Sequence, residues 1–224
     1  MSQRYLPINE IFETIQGEGY YTGVPAIFIR LQGCDVGCSW CDTKHTWGFE
    51  PSQQCEFGEI IGVSGDKPRW ANASVENLVA QLQTYSATHV VLTGGEPCIY
   101  DLRDLCERLL QRSYTVQVET SGTYPILVSS KAWVTVSPKV AMQGGKPILE
   151  QALLRADEIK HPVAREKDIE NLHELLSGVS GDKDLTICLQ PISQQARATQ
   201  LCIQTCIKNN WRLSLQTHKY LGID

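Results

Sequence analysis

A chain of 224 residues, 42% of them hydrophobic, is long enough to bury a full core without disulfide staples, and a single domain is the simplest expectation. The formal charge of −5 comes with no Lys/Arg block, which argues against a nucleic-acid or membrane surface and for a small-molecule partner. No stretch approaches the roughly 18 apolar residues of a membrane span, and three of the nine cysteines crowd into eight positions, so thiolate chemistry in a reducing cytoplasm is expected, not disulfides.

The first strands are expected at 8–14 and 26–31, the second reading AIFIRL as a buried strand does. A cysteine-rich loop follows, then an irregular insertion from about 48 to 73, where Pro51, Gly58, Gly62, Gly65 and Pro68 interrupt any period. Ser74 is placed to cap a helix running to about 85, with Val75, Leu78, Val79 and Leu82 on one face. Strands are then expected at 89–93, 115–119, 133–136, 157–160, 185–189 and 211–215, and helices at 101–112, 147–155, 166–176 and 194–208. Such alternation implies an α/β fold whose strands are mostly parallel and joined by crossover helices. Because eight complete units take about 250 residues, an open, partial (βα) barrel fits this length better than a closed one.

Cys34, Cys38 and Cys41 put three thiols on one tight loop, and Gly33 and Gly37 let the backbone fold around a central object. Thiolates suit iron or zinc. Three ligands on a four-iron cluster leave one iron open to chelate the amino and carboxylate groups of a methionine moiety. His45 lies four residues after Cys41, so a closed Cys3His zinc site is the rival reading. Trp40 offers an apolar face suited to stacking near an adenine, or to the core. Thr93-Gly94-Gly95-Glu96-Pro97 follows a strand directly, and its paired glycines allow backbone groups to approach a ligand closely.

The cysteine spacing, with an aromatic residue before the last cysteine, and the TGGEP element resemble the radical S-adenosylmethionine superfamily. Gln16-Gly17-Glu18-Gly19, Arg30 in its LQGC context, Cys41-Asp42-Thr43, Ser137-Pro138-Lys139 and the terminal QTHKYL narrow this to a resemblance to the 7-carboxy-7-deazaguanine synthase family, over nearly the whole chain. The resemblance implies a partial barrel of the radical S-adenosylmethionine type. It also implies ring contraction of 6-carboxy-5,6,7,8-tetrahydropterin to 7-carboxy-7-deazaguanine with loss of ammonia, on the route to queuosine. A 4Fe-4S cluster on Cys34, Cys38 and Cys41, S-adenosylmethionine as a regenerated cofactor, Mg2+ at Thr43, an external electron donor such as flavodoxin and a homodimer come with it.

Residue by residue, the resemblance implies that Ile15, Gln16, Gly17, Glu18, Arg30, Thr93, His218 and Asp224 meet the pterin. Trp40, Asp42, Gly95, Glu119, Ser137, Pro138, Lys139, Gln190, Pro191, Ile192 and Ser193 are implied to meet S-adenosylmethionine. An arginine at position 30 makes independent sense, since its planar fork pairs with a carboxylate, although a rim salt bridge would use it equally well. Two other functions share parts of this pattern: a radical enzyme that activates a partner protein, and a non-catalytic zinc-binding adaptor using His45.

Overall fold

The computed structural model describes residues 5–62, 68–179 and 184–223. Nine strands form one sheet in the order β3-β1-β2-β4-β5-β6-β7-β8-β9. β1 (Tyr5–Ile15) and β2 (Pro25–Leu31) are antiparallel, registered from Ile15 opposite Pro25 to Ile8 opposite Leu31. β3 (Ala71–Ser74) runs antiparallel to the outer edge of β1. Every later strand joins in parallel: β4 (His89–Gly94), β5 (Thr115–Thr120), β6 (Trp133–Val136), β7 (Glu158–Val163), β8 (Thr186–Pro191) and β9 (Arg212–Leu213). The helices are α1 (Val75–Leu82), α2 (Arg103–Gln111), α3 (Glu150–Arg155), α4 (Glu166–Ser177), α5 (Ala196–Asn209) and α6 (Thr217–Leu221). The mostly parallel, open α/β sheet expected from the sequence is what forms.

Four local expectations are corrected. The segment 48–73 is not irregular to its end, because Ala71 and Ala73 turn inward as part of an edge strand and its earlier turns bury Ile60. The last strand is only two residues long, since Ser214 bonds its N–H to the Leu189 carbonyl at 2.9 Å and the chain then turns away. α3 begins at Glu150, later than expected, and a short α6 follows β9 where no helix was expected. Ser74 does cap α1: its Oγ accepts from the Asn77 N–H at 3.1 Å, which satisfies one orphan donor of the first turn.

Period-two alternation sorts the strand side chains. Outward residues such as Ile27, Ile29, Val90, Leu92 and Val118 pack with Leu78, Leu82, Leu105 and Leu109 of α1 and α2. Val136, Ile159, Leu189, Leu172 and Cys202 form a second cluster against α4 and α5. Each fully buried aliphatic side chain contributes about 1.5–3 kcal/mol. The alternate positions, Gln117 and Glu119, Thr135, Glu158 and Lys160, and Cys188 and Gln190, project to the other side and give the half-barrel a polar lumen. The loop 16–24 and the turn after β9 fill the seam between the sheet's two ends, where the Gly19 N–H donates to Ser214 Oγ at 2.9 Å and the Thr217 N–H to the Gly17 carbonyl at 3.0 Å.

Candidate active site

The cysteine loop leaves β2 at its carboxyl end and is held on both sides by backbone bonds. Gly33 and Cys34 donate to the carbonyls of Thr46 and Trp47 at 2.7 and 3.1 Å, while the Glu96 N–H donates to the Gly33 carbonyl at 2.8 Å. Two glycines make the contact with the TGGEP turn achievable. Gly94 has φ +132°, and a Cβ on Gly95 would lie 2.2 Å from the Gly33 oxygen. Glu96 is fully buried and ties the turn to the end of β5, accepting from the Cys98 N–H at 2.9 Å, Thr120 Oγ1 at 2.6 Å, the Ser121 N–H at 2.8 Å and the Ser121 hydroxyl.

Cys34, Cys38 and Cys41 are free thiols on the wall of one cavity of about 240 Å³. Burial pushes the Cys34 thiol up to about 11 and raises that of Cys38, which the Lys139 charge partly counters. Left alone Cys34 and Cys38 stay protonated at neutral pH, so their ligand form needs a bound metal to supply the positive charge. Among the described residues no set of three or more His, Cys, Asp or Glu side chains gathers tightly enough to hold a single ion, and His45 does not line the cavity. Thiols spread around a space suit the corners of a cluster better than one tetrahedral zinc.

Around the same cavity stand Trp40, Asp42, Gly95 and Glu119, with Ser137 and Lys139 after β6. Gln190 and Pro191 at the end of β8 and Ile192 and Ser193 after it close the cavity, Ser193 with a left-handed φ of 53°. Pro138, between Ser137 and Lys139, is buried and lines neither this cavity nor the one beside it. Lys139 donates from Nζ to Ser137 Oγ at 2.7 Å, and burial lowers its pKa.

A second cavity, of about 400 Å³, adjoins the first and shares Glu18, Asp42, Thr43, Thr93 and Glu119 with it. Ile15, Gln16, Gly17, Arg30 and His218 complete the expected set there. Asp224 lies outside the described residues. Gly17 is required by proximity, since a Cβ would lie 2.4 Å from His218 Nδ1. Arg30 has a resident partner, bonding through Nε to Glu10 Oε1 at 2.6 Å, and its guanidinium carbon stands 5.9 Å from the Phe12 ring centroid. Thr43 Oγ1 is 3.6 Å from Cys41 Sγ and reaches both cavities.

Sequence reasoning missed several lining residues, among them Trp47, Glu96, Lys160, Gln216 and Lys219. Isolated charged or amide residues carry no local pattern. The positions of Glu96 inside TGGEP and of Gln216 and Lys219 inside the terminal QTHKYL were the available signals.

The radical SAM superfamily model matches residues 28–177. The chain is 57% identical to the 7-carboxy-7-deazaguanine synthase of Escherichia coli K12 over 219 residues, covering 97% of this chain and 98% of the relative. The chain belongs to the 7-carboxy-7-deazaguanine synthase family. The Buchnera aphidicola 7-carboxy-7-deazaguanine synthase is 47% identical over 98% of this chain and 99% of its own length. The crystal structure of QueE from Escherichia coli superposes with a TM-score of 0.92 at 55% identity, covering 94% of this chain and 93% of that one. As a radical S-adenosylmethionine family, 7-carboxy-7-deazaguanine synthases imply a 4Fe-4S cluster and S-adenosylmethionine here, and the adaptor and activating-enzyme readings of the cysteine loop fall away. Among the described residues no helix is long and apolar enough to cross a membrane.

Proposed function

We propose that the chain converts 6-carboxy-5,6,7,8-tetrahydropterin to 7-carboxy-7-deazaguanine and ammonia. The carrying observation is the pair of adjoining cavities, one bounded by the three thiols and the TGGEP turn, the other by Arg30, Gln16 and His218. When bound on Cys34, Cys38 and Cys41 and beside the TGGEP turn, the cluster and S-adenosylmethionine would supply the radical chemistry that opens the pterin ring to contraction. The net change is loss of one ring nitrogen as ammonia, with no oxidant or reductant consumed.

In this reading Arg30 pairs with the pterin carboxylate, because its fork is bound to Glu10 through Nε and Glu10 fixes its plane. Gln16 is held in turn: its Nε2 bonds Glu119 Oε1 at 3.1 Å and its Oε1 accepts the Glu18 N–H at 3.1 Å. Gly95 offers backbone to the methionine amino group, and Glu119 reaches the ribose from the shared wall. Trp40, 43% exposed, is an uncommitted aromatic face at the rim and suits stacking on the adenine. We assign Mg2+ to the boundary between the cavities, where Thr43 Oγ1 and the substrate carboxylate offer the hard oxygens it prefers. A homodimer and an external flavodoxin-type electron donor belong to the same proposal on the strength of the family resemblance.

The test is anaerobic incubation of reconstituted protein with reductant, S-adenosylmethionine, Mg2+ and carboxytetrahydropterin. The expected result is the deazaguanine acid by mass, with S-adenosylmethionine recovered. Stoichiometric 5'-deoxyadenosine without that acid would overturn the reading. Omitting Mg2+ should lower the rate, and an unchanged rate would remove the metal from the proposal.

A further inference from the structure

Lys160, on β7, is 4% exposed, and nothing in its sequence neighbourhood marks it. Its Nζ donates to Glu18 Oε2 at 2.6 Å and to Glu119 Oε2 at 2.8 Å. The two carboxylates come from different parts of the fold, Glu18 from the loop after β1 and Glu119 from the end of β5, and both reach the two cavities. Their other oxygens are also held. Glu18 Oε1 accepts from Gln216 Nε2 at 2.9 Å, and Glu119 Oε1 accepts from Gln16 Nε2 at 3.1 Å and Gln117 Nε2 at 3.3 Å. Neither carboxylate can turn without breaking a bond to the lysine.

A buried ammonium is costly, and an apolar side chain of similar volume is often the more stable filler. Fold stability is therefore a poor reason for a lysine here. Two other lysines among the described residues line the cavities, and both bond elsewhere: Lys139 Nζ donates to Ser137 Oγ at 2.7 Å and Lys219 Nζ to Gln216 Oε1 at 2.9 Å.

We propose that Lys160 is a positioning residue: it joins the substrate loop to the cofactor strand, so that Glu18 faces the pterin and Glu119 faces S-adenosylmethionine as parts of one rigid charged unit. This rests on the proposed roles of Glu18 and Glu119 as ligand contacts. Without the ammonium, the two half-buried carboxylates lose the one cation bonded to both, while Glu158 adds negative charge and Glu18 keeps only the more distant charges of Lys139 and His218, so one carboxylate must swing away or take up a proton. In the intact site burial would raise the Glu18 pKa, but the Lys160 charge and hydrogen bond, with smaller help from Gln216 and His218, more than offset this and hold it below the usual carboxylate range.

The test compares Lys160→Met, which keeps length and removes charge, with Lys160→Arg, which keeps charge, in the reconstituted holoenzyme. Equilibrium binding of S-adenosylmethionine, without turnover, is measured beside KM and kcat for the pterin across mildly acid to mildly alkaline pH. For Lys160→Met, S-adenosylmethionine affinity should fall and pterin KM should rise, each by roughly tenfold or more, the scale of a lost charge-assisted hydrogen bond. kcat should change less, S-adenosylmethionine binding should become pH-dependent, and Lys160→Arg should recover part of both affinities. A Lys160→Met protein with wild-type melting temperature, unchanged cofactor affinity and unchanged KM would overturn the proposal. Should that variant fail to fold, Glu119→Gln frees one arm of the ammonium while keeping shape, and a pterin KM that stays at the wild-type value would overturn it equally. Failure of the functional reading looks different: the wild type itself would form no deazaguanine acid, whatever its cofactor affinity.

Discussion

Replacing Gly95 by alanine is expected to damage the reaction by moving the cysteine loop. The backbone at Gly95 is not in the left-handed region, so the effect is one of space alone. The new Cβ would lie 2.2 Å from the Gly33 oxygen and 3.0 Å from Cys34 Cβ, whereas ordinary contact begins near 3.4 Å. The obstacle is backbone, not the end of a flexible side chain, so the cysteine loop or the TGGEP turn must retreat by about 1 Å, the difference between those distances. That retreat stretches the 2.8 Å bond from the Glu96 N–H to the Gly33 carbonyl and the 3.0 Å bond from the Gly95 N–H to the Leu31 carbonyl. Overpacking of this kind costs about 1–3 kcal/mol of stability, and a misplacement of about 1 Å at a reacting centre costs roughly 100-fold in rate. Turnover, iron and sulfide content and S-adenosylmethionine affinity should be measured together, with Gly58→Ala as control because its Cβ would meet nothing within 4 Å. Turnover within twofold of wild type in Gly95→Ala, with unchanged cofactor affinity, would refute the reasoning.

Cys38→Ala should abolish turnover and cluster retention, whereas Cys55→Ala should leave both nearly intact, since Cys55 lies outside the cavity and bonds only weakly to the Trp70 carbonyl at 3.6 Å. Equal loss in iron assays of the two variants would show that the ligands are misassigned. His161 is buried, bonds the Asp168 carbonyl through Nε2 at 2.8 Å and leaves Nδ1 without a partner, and burial lowers its pKa from 6.5 to about 4. The unfolded chain therefore takes up this proton below pH 6.5 while the folded chain does not until about pH 4, so stability falls on acidification through that window, by on the order of 3 kcal/mol at its acid end. Urea unfolding at neutral pH and near the acid end should show a loss that His161→Leu reduces by that amount, and identical acid losses in the two proteins would disprove it.

What was legible in the sequence was whatever depends on local spacing. The three cysteines, the glycine pair before Glu96 and the Ser74 cap all act over a few residues: the cysteines line one cavity, the glycines let the TGGEP turn approach Gly33, and Ser74 caps α1. The edge strand at Ala71–Ser74 was hidden because Ala-Asn-Ala-Ser has no strand propensity, and only pairing with β1 makes it one. α6 was hidden because five residues offer no periodicity. Lys160, and the bond that Gln216 of QTHKYL makes, were illegible for a different reason: their partner Glu18 is 142 and 198 residues away in the chain, so the contacts exist only once the sheet has curved.

That curvature explains where the site can be. A sheet with strand alternation Val118-Glu119 or Ile159-Lys160 must put its charged positions into the lumen, where water is scarce and each needs a partner. A closed barrel would satisfy them with packed side-chain layers and leave little room for two ligands. Here the antiparallel start of the sheet sends the loop 16–24 back into the open seam, and its glycines bring backbone and Glu18 against β7 and the C-terminal turn. The same loop that completes the polar interior thus forms the wall of the substrate cavity. A substitution that loosens the seam, at Gly17 or Ser214, should therefore weaken pterin binding as much as it weakens the fold.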